Sequence, residues 1–158
     1  MEAGREGEYL NQLKYKFTIQ GRLDGLNNYT AANRTNPYKG GKVKHENEEL
    51  VIWSIREQLR GVHITEPVLI YYRFYEKDNR RDGDNILSCA SKFIQDSLTK
   101  TKVLQEDNRK CIPHFYHDIF IDKANPRIEV TLIPLTKEQA SLPLYELLKA
   151  LEDEVSML

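Results

Sequence analysis

The sequence predicts an α/β (α+β) domain with a small mixed four-stranded sheet and helices packed on it. Residues 13–19 alternate between apolar and polar side chains, as expected of a strand with one face in water. Residues 68–77 are apolar on both faces, which predicts a central strand. Three further segments carry apolar side chains at helical spacing. Together with two later strands, they give the order β-α-β-α-β-β-α.

The helices are predicted over residues 42–60, 85–99 and 142–155. In the first of them, Ile52, Ile55 and Leu59 share one stripe, Gly61 is a typical stop, and Trp53 is expected in the core. The last two strands are predicted around residues 111–121 and 127–133. Because the link between them is short, we expect a hairpin, which would make the sheet mixed.

Residues 21–41 are rich in Asn and Gly and show little periodicity, which predicts a long loop of the functional or disordered kind. The net charge of the chain is −1, yet residues 22–45 contain five basic side chains and one acid, Asp24. This stretch is either a phosphate-facing arm or a solvated basic loop. The basic residues are Arg22, Arg34, Lys39, Lys42 and Lys44.

The length of 158 residues predicts one domain over the whole chain, with residues 142–158 as a C-terminal helix. Residues 1–12 have no apolar segment of a secretory signal and are expected to be a frayed leader. No apolar run approaches the roughly 18 residues of a membrane span, so no membrane association is expected. With two cysteines there is no disulfide framework, and we expect a cytoplasmic protein.

The most informative segment for chemistry contains Asp82 and Asp84, two residues apart. In an extended chain both carboxylates would point to one face, where they repel unless a cation lies between them. Such oxygen ligands suit Mg²⁺, or Mn²⁺ in its place, and Asp107 could complete the site. Arg80 and Arg81 could hold a phosphate backbone. The alternative is a polar turn that caps a helix.

This pattern resembles the RusA-type Holliday junction resolvases, many of which are borne by phages. The resemblance covers about residues 15–133. The matching residues are the run Arg81-Asp82-Gly83-Asp84-Asn85, the pair Lys92 and Asp96 on the following helix, and Asp107, which is preceded by Glu106 and lies eleven residues after Asp96. Residues 17–22 and 126–131 also resemble the first and last strands of the family.

The resemblance implies a homodimer, in a bacterial or phage-infected cell, that resolves four-way DNA junctions by paired symmetric nicks in recombination and repair. It implies that Asp82, Asp84 and Asp107 bind Mg²⁺ and that Lys92 is a catalytic lysine. One departure is an extra helical turn, which puts Ser88 where the family's lysine would fall. Two alternatives remain open: a junction-binding protein with weak or lost nuclease activity, and a nuclease acting on flaps or forks.

Overall fold

The computed structural model describes residues 14–156 and confirms the predicted class, a four-stranded mixed sheet with helices packed on it. The predicted leader, residues 1–12, lies outside the described residues. No helix among residues 14–156 is long and apolar enough to cross a membrane. The elements in chain order are β1 (Tyr15–Gln20), α1 (Leu26–Thr35), α2 (Pro37–Gln58), β2 (Val68–Glu76), α3 (Gly83–Lys100), β3 (His114–Ile121), β4 (Arg127–Pro134), α4 (Lys137–Ala140) and α5 (Leu144–Ser156).

The strand order is β1-β4-β2-β3, with β2 parallel to β3 and antiparallel to β4. The mixed sheet is therefore confirmed, but the predicted hairpin is wrong because β2 lies between β3 and β4. The link after β3 passes the end of β2, where the Asp122 N–H donates to the Glu76 carbonyl at 2.8 Å. The central position of β2 agrees with its apolar character on both faces. A strand pairs with each of its edges, and packed side chains cover each of its faces.

The predicted loop over residues 21–41 is wrong, because this stretch forms α1 and the first turns of α2. Asn36 separates the two helices: its N–H donates to the Ala32 carbonyl at 3.2 Å, and its side chain accepts from the Lys39 N–H at 2.8 Å. Pro37 then occupies the first position of α2, where its missing N–H costs nothing. No residue of α1 is fully buried, and the half-buried Tyr29 packs against the core, so the apolar repeat of this helix is weak.

The main core lies between one face of the sheet and the helices α2 and α3, with Phe17, Tyr72 and Phe93 at most 2% exposed. A smaller core on the opposite face joins β2 and β4 to α5 through Leu69, Ile133 and Leu147. The C-terminal helix is thus present and packs against the sheet, as its leucine stripe predicts. Because α3 runs along the sheet, its two ends lie at opposite ends of the sheet. Acidic residues at the two ends of this helix are therefore far apart.

Candidate functional site

Asp82 and Asp84 lie at the amino end of α3, immediately after the turn that follows β2. Both side chains are exposed. Asp82 is the N-cap residue, yet its carboxylate accepts no capping hydrogen bond. The Asp84 carboxylate accepts a local bond from the Asn85 N–H at 3.0 Å. No ion pair within the described part of the chain includes either residue. If the turn served only to cap the helix, the Asp82 carboxylate would accept a backbone N–H of the first turn, and it does not. Both carboxylates are therefore available to bind a cation.

Arg81 holds the turn in place from inside the protein. Its Nε–H donates to Glu76 at 2.7 Å, and its Nη1 donates to the Leu23 carbonyl at 2.9 Å. The side chains of Arg81 and Glu76 are 14% and 6% exposed. The guanidinium is therefore occupied by protein partners, and the role predicted for Arg81 in holding DNA is replaced here by a role in positioning the residues that follow it.

A polar pocket of about 260 Å³ opens beside this turn. Four of its lining residues are cations, Arg22, Lys77, Arg80 and Arg81, and one is an acid, Asp78. The Arg80 side chain is 87% exposed and lies 3.6 Å from Asp78. The exposed guanidinium and ammonium groups of Arg22, Lys77 and Arg80 around this small polar cavity are suited to phosphate oxygens. Lys77 was not predicted, and its position directly after an apolar strand is the signal that could have identified it.

Asn85 connects the pocket to the amino end of α1. Its side-chain oxygen accepts from the Asn27 N–H at 2.9 Å. A Cβ atom at Gly25 would lie 2.6 Å from that oxygen, so glycine at this position is what lets Asn85 approach. The amino ends of α1 and α3 therefore both border the pocket, where the positive ends of the two helix dipoles favour an anion.

Asp107 does not join Asp82 and Asp84 within one chain. Its pKa is raised, first because its carboxyl group shares a hydrogen bond with Asp96 and second because of partial burial. Asp96 is twelve residues after Asp84 on α3, about 18 Å away. The segment after α3 stays at that end, since the Ile64 N–H donates to the Val103 carbonyl at 2.8 Å. Among residues 14–156, no three acidic, histidine or cysteine side chains are grouped to hold a metal.

Lys92 is exposed on α3, eight residues after Asp84 and thus about 12 Å along the helix. Ser88 occupies the intervening turn, and its hydroxyl donates to the Asp84 carbonyl at 2.5 Å. Because a lysine side chain leans toward the amino end of its helix, the Lys92 ammonium can approach a phosphate that extends past the first turn. It lies too far along α3 to contact a ligand held between Asp82 and Asp84.

The predicted basic arm is divided between helices and serves different roles along its length. Arg34, Lys39 and Lys42 are exposed on α1 and α2. Lys44 instead faces α3, 3.3 Å from Asp96 and 3.6 Å from Glu48. Partial burial acts to lower the pKa of Lys44, but these two carboxylates outweigh it and raise the pKa. Lys44 is therefore held in an ion-pair network, and Lys42 makes an exposed ion pair with Glu46 at 3.8 Å. Arg34 and Lys39 have no ion-pair partner among the described residues and remain open to an external anion.

Comparisons with known proteins add no assignment for this chain. No model of a known protein family matches the chain, and no curated protein matches it. The two exposed carboxylates and the cationic pocket at the amino end of α3 are therefore the features from which a function can be inferred.

Proposed function

We propose that this chain is a Mg²⁺-dependent endonuclease that cuts branched DNA at the amino end of α3. The observation that supports this most directly is the position of Asp82 and Asp84, exposed and without an ion-pair partner among the described residues, beside a pocket lined by Arg22, Lys77 and Arg80. A phosphodiesterase site needs carboxylates that bind a metal cation and, next to them, cationic side chains that bind the phosphate. The resemblance of residues 81–85 to the RusA-type resolvases supports the same activity.

The carboxylates of Asp82 and Asp84 fit a magnesium ion, which takes hard oxygen ligands and commonly uses one or two carboxylates together with substrate phosphates. Mn²⁺ has the same ligand preference and could substitute. Mg²⁺ bound there would supply Lewis-acid stabilisation of the charge on the scissile phosphate. Arg22, Lys77 and Arg80 would hold the phosphate backbone, while the buried contact of Arg81 keeps Asp82 at its position.

A longer DNA contact can extend from the pocket along α1. Arg34 lies six residues after Asn28, a pocket-lining residue, which is roughly 9 Å along the helix. Lys39 and Lys42 continue the exposed positive charge into α2. This basic surface, rather than the net charge of −1, is what a DNA arm would meet, because phosphate contacts depend on local charge.

A second candidate function is junction binding without efficient cleavage. The observation that favours it is the position of Asp107, which leaves two carboxylates at the amino end of α3 within one chain. The cationic pocket would then hold branched DNA, and hydrolysis would be slow or absent.

One assay separates these functions. A synthetic four-way junction and a linear duplex of the same sequence are incubated with the protein in Mg²⁺, Mn²⁺ or EDTA, with binding followed in parallel. We expect paired nicks in the junction with either metal, none with EDTA and none in the duplex. Junction binding without nicks in any metal would instead establish the second candidate, and the absence of selective junction binding would contradict both.

The homodimer expected for symmetric nicking has a suitable surface in β3. In the part of the chain that the structure describes, no strand pairs with the outer edge of β3. Four large apolar side chains of this strand are 37–52% exposed. Its sequence contains neither proline nor lysine, the residues that usually protect an edge. The exposed side chains are Phe115, Ile119, Phe120 and Ile121.

Antiparallel pairing of β3 with the β3 strand of a second copy would pair the backbone N–H and C=O groups of this edge and form a two-fold dimer. The favoured register places His117 opposite its copy, because Phe115 then faces Ile119 and Tyr116 faces Asp118. A shift by one residue pair would place Asp118 against its own copy, which charge repulsion disfavours. Each copy would present one cationic pocket to the same junction.

We expect His117→Cys, in a Cys111→Ser background, to form a disulfide-linked dimer on mild oxidation. Opposed residues in an antiparallel pair have Cα atoms about 4.5–5.5 Å apart, which suits a disulfide. Lys16→Cys, exposed on the other edge strand, is the matched control and should stay unlinked. Non-reducing electrophoresis measures both, with sedimentation of the parent chain as the check. A monomeric parent at micromolar concentration, or equal linking of both variants, would contradict the β3 interface.

A further inference from the structure

A groove of about 540 Å³ lies far from the proposed nuclease site, between the carboxyl end of α2 and the segments 61–63 and 101–103. Its floor is apolar and includes Leu59, Val62 and Val103. The groove is near the carboxyl end of α3, whereas Asp82 and Asp84 are at the amino end of this 18-residue helix, about 27 Å away. Any ligand in the groove therefore occupies a separate site.

Trp53, the single tryptophan of the chain, lines this groove and is 65% exposed. The expectation that it packs in the core is therefore wrong. Ile55, two residues later, is buried on the inner side of α2, whereas Trp53 lies on the outer side with Leu50, which is 39% exposed. An exposed indole beside a groove offers a flat apolar surface on which a planar ring can stack.

The rim of the groove is cationic. Arg56 and Arg60 are exposed, and neither takes part in an ion pair within residues 14–156. His63 also lines the groove and is oriented by its Nδ1–H, which donates to the Lys102 carbonyl at 2.7 Å. One carboxylate, Glu57, is present. A second concavity, which Trp53 and Arg56 also line, carries the two carboxylates of Glu46 and Glu49, so charge favours an anion in the groove over this concavity.

We propose that this groove, the Trp53 groove, binds an unpaired nucleotide of single-stranded or branched DNA. The base stacks on the indole, and Arg56 and Arg60 hold the neighbouring phosphates. An apolar protein segment would leave both guanidinium groups without partners. A nucleotide places its base against the apolar floor and its phosphate against the cationic rim. The biological meaning of this contact, a second hold on branched DNA, rests on the proposed function.

Trp53 provides its own readout, because base stacking quenches its fluorescence and no other tryptophan contributes. We expect a short oligothymidylate to quench this fluorescence saturably at low salt, with a duplex of equal length and inorganic tripolyphosphate causing much less. The Arg56→Gln/Arg60→Gln variant should weaken oligothymidylate binding at least tenfold. Lys149→Gln, which removes a charge from an exposed position on α5, should not. Absence of saturable quenching, or full binding by the arginine variant, would overturn the proposal.

Trp53→Ala, followed by the anisotropy of a labelled oligothymidylate, tests the stacking itself and should also lose at least tenfold in affinity. Equal affinity for tripolyphosphate and oligothymidylate would show a phosphate-only contact and would overturn the assignment of a nucleotide. The Asp82→Asn/Asp84→Asn variant should bind oligothymidylate as the parent does. If the parent chain never cuts junctions although oligothymidylate quenches its fluorescence saturably, the nuclease function fails while the Trp53 groove stands.

Discussion

Asp82→Asn and Asp84→Asn are each expected to lower the rate of junction cleavage by at least about a thousandfold, which is roughly 4 kcal/mol of activation free energy. Each removes a charged oxygen ligand from the two carboxylates that remain available at the amino end of α3. Junction affinity should hold or increase, because a negative charge beside the phosphates is lost. Single-turnover cleavage and a binding isotherm with EDTA measure the two effects separately.

Glu66→Gln is the matched control, since it removes an exposed carboxylate near the opposite end of β2. It should cut at the parent rate, and a parent rate in either aspartate variant would exclude that residue as an essential ligand. Asp107→Asn is informative in both directions. Retained cleavage means that the site is complete in one chain, whereas lost cleavage means that Asp107 reaches a site on a second copy.

Arg81→Ala is expected to lower the free energy of unfolding by about 3–5 kcal/mol, because it leaves the buried Glu76 carboxylate without its partner. It also releases the Leu23 carbonyl, which ties the loop after β1 to the turn before α3. Urea denaturation followed by circular dichroism measures the change.

The neighbouring Arg80→Ala provides the control, because the Arg80 side chain is 87% exposed and its loss should change stability by less than about 0.5 kcal/mol. Replacing both buried partners, as in Glu76→Leu/Arg81→Met, should recover much of the loss, since no uncompensated charge is then buried. An Arg81→Ala midpoint equal to that of the parent would show that the ion pair does not stabilise the turn.

Periodicity predicted most of the regular elements because burial of an apolar face imposes a repeat on the sequence. The leucine stripe of α5 and the apolar residues of α3 have this repeat, and both helices were predicted within two residues of their bounds. α1 has no fully buried residue and contacts the core through the half-buried Tyr29, so its apolar repeat is weak in the sequence. Its bounds depend on Asn36, which ends one helix and caps the next.

By itself, the sequence determined the sheet class, the central place of β2 and the local pair Asp82 and Asp84 with Arg80 beside it. These features depend on residues close together in the chain. Only the tertiary structure decided that β2 separates β3 from β4, because strand pairing depends on contacts between residues far apart in the chain. It alone placed Arg81 inside against Glu76 and Asp107 against Asp96. The distance of Asp107 from Asp84 depends on whether the segment after α3 runs back along the helix or stays at its carboxyl end, and residue spacing alone does not distinguish these two paths.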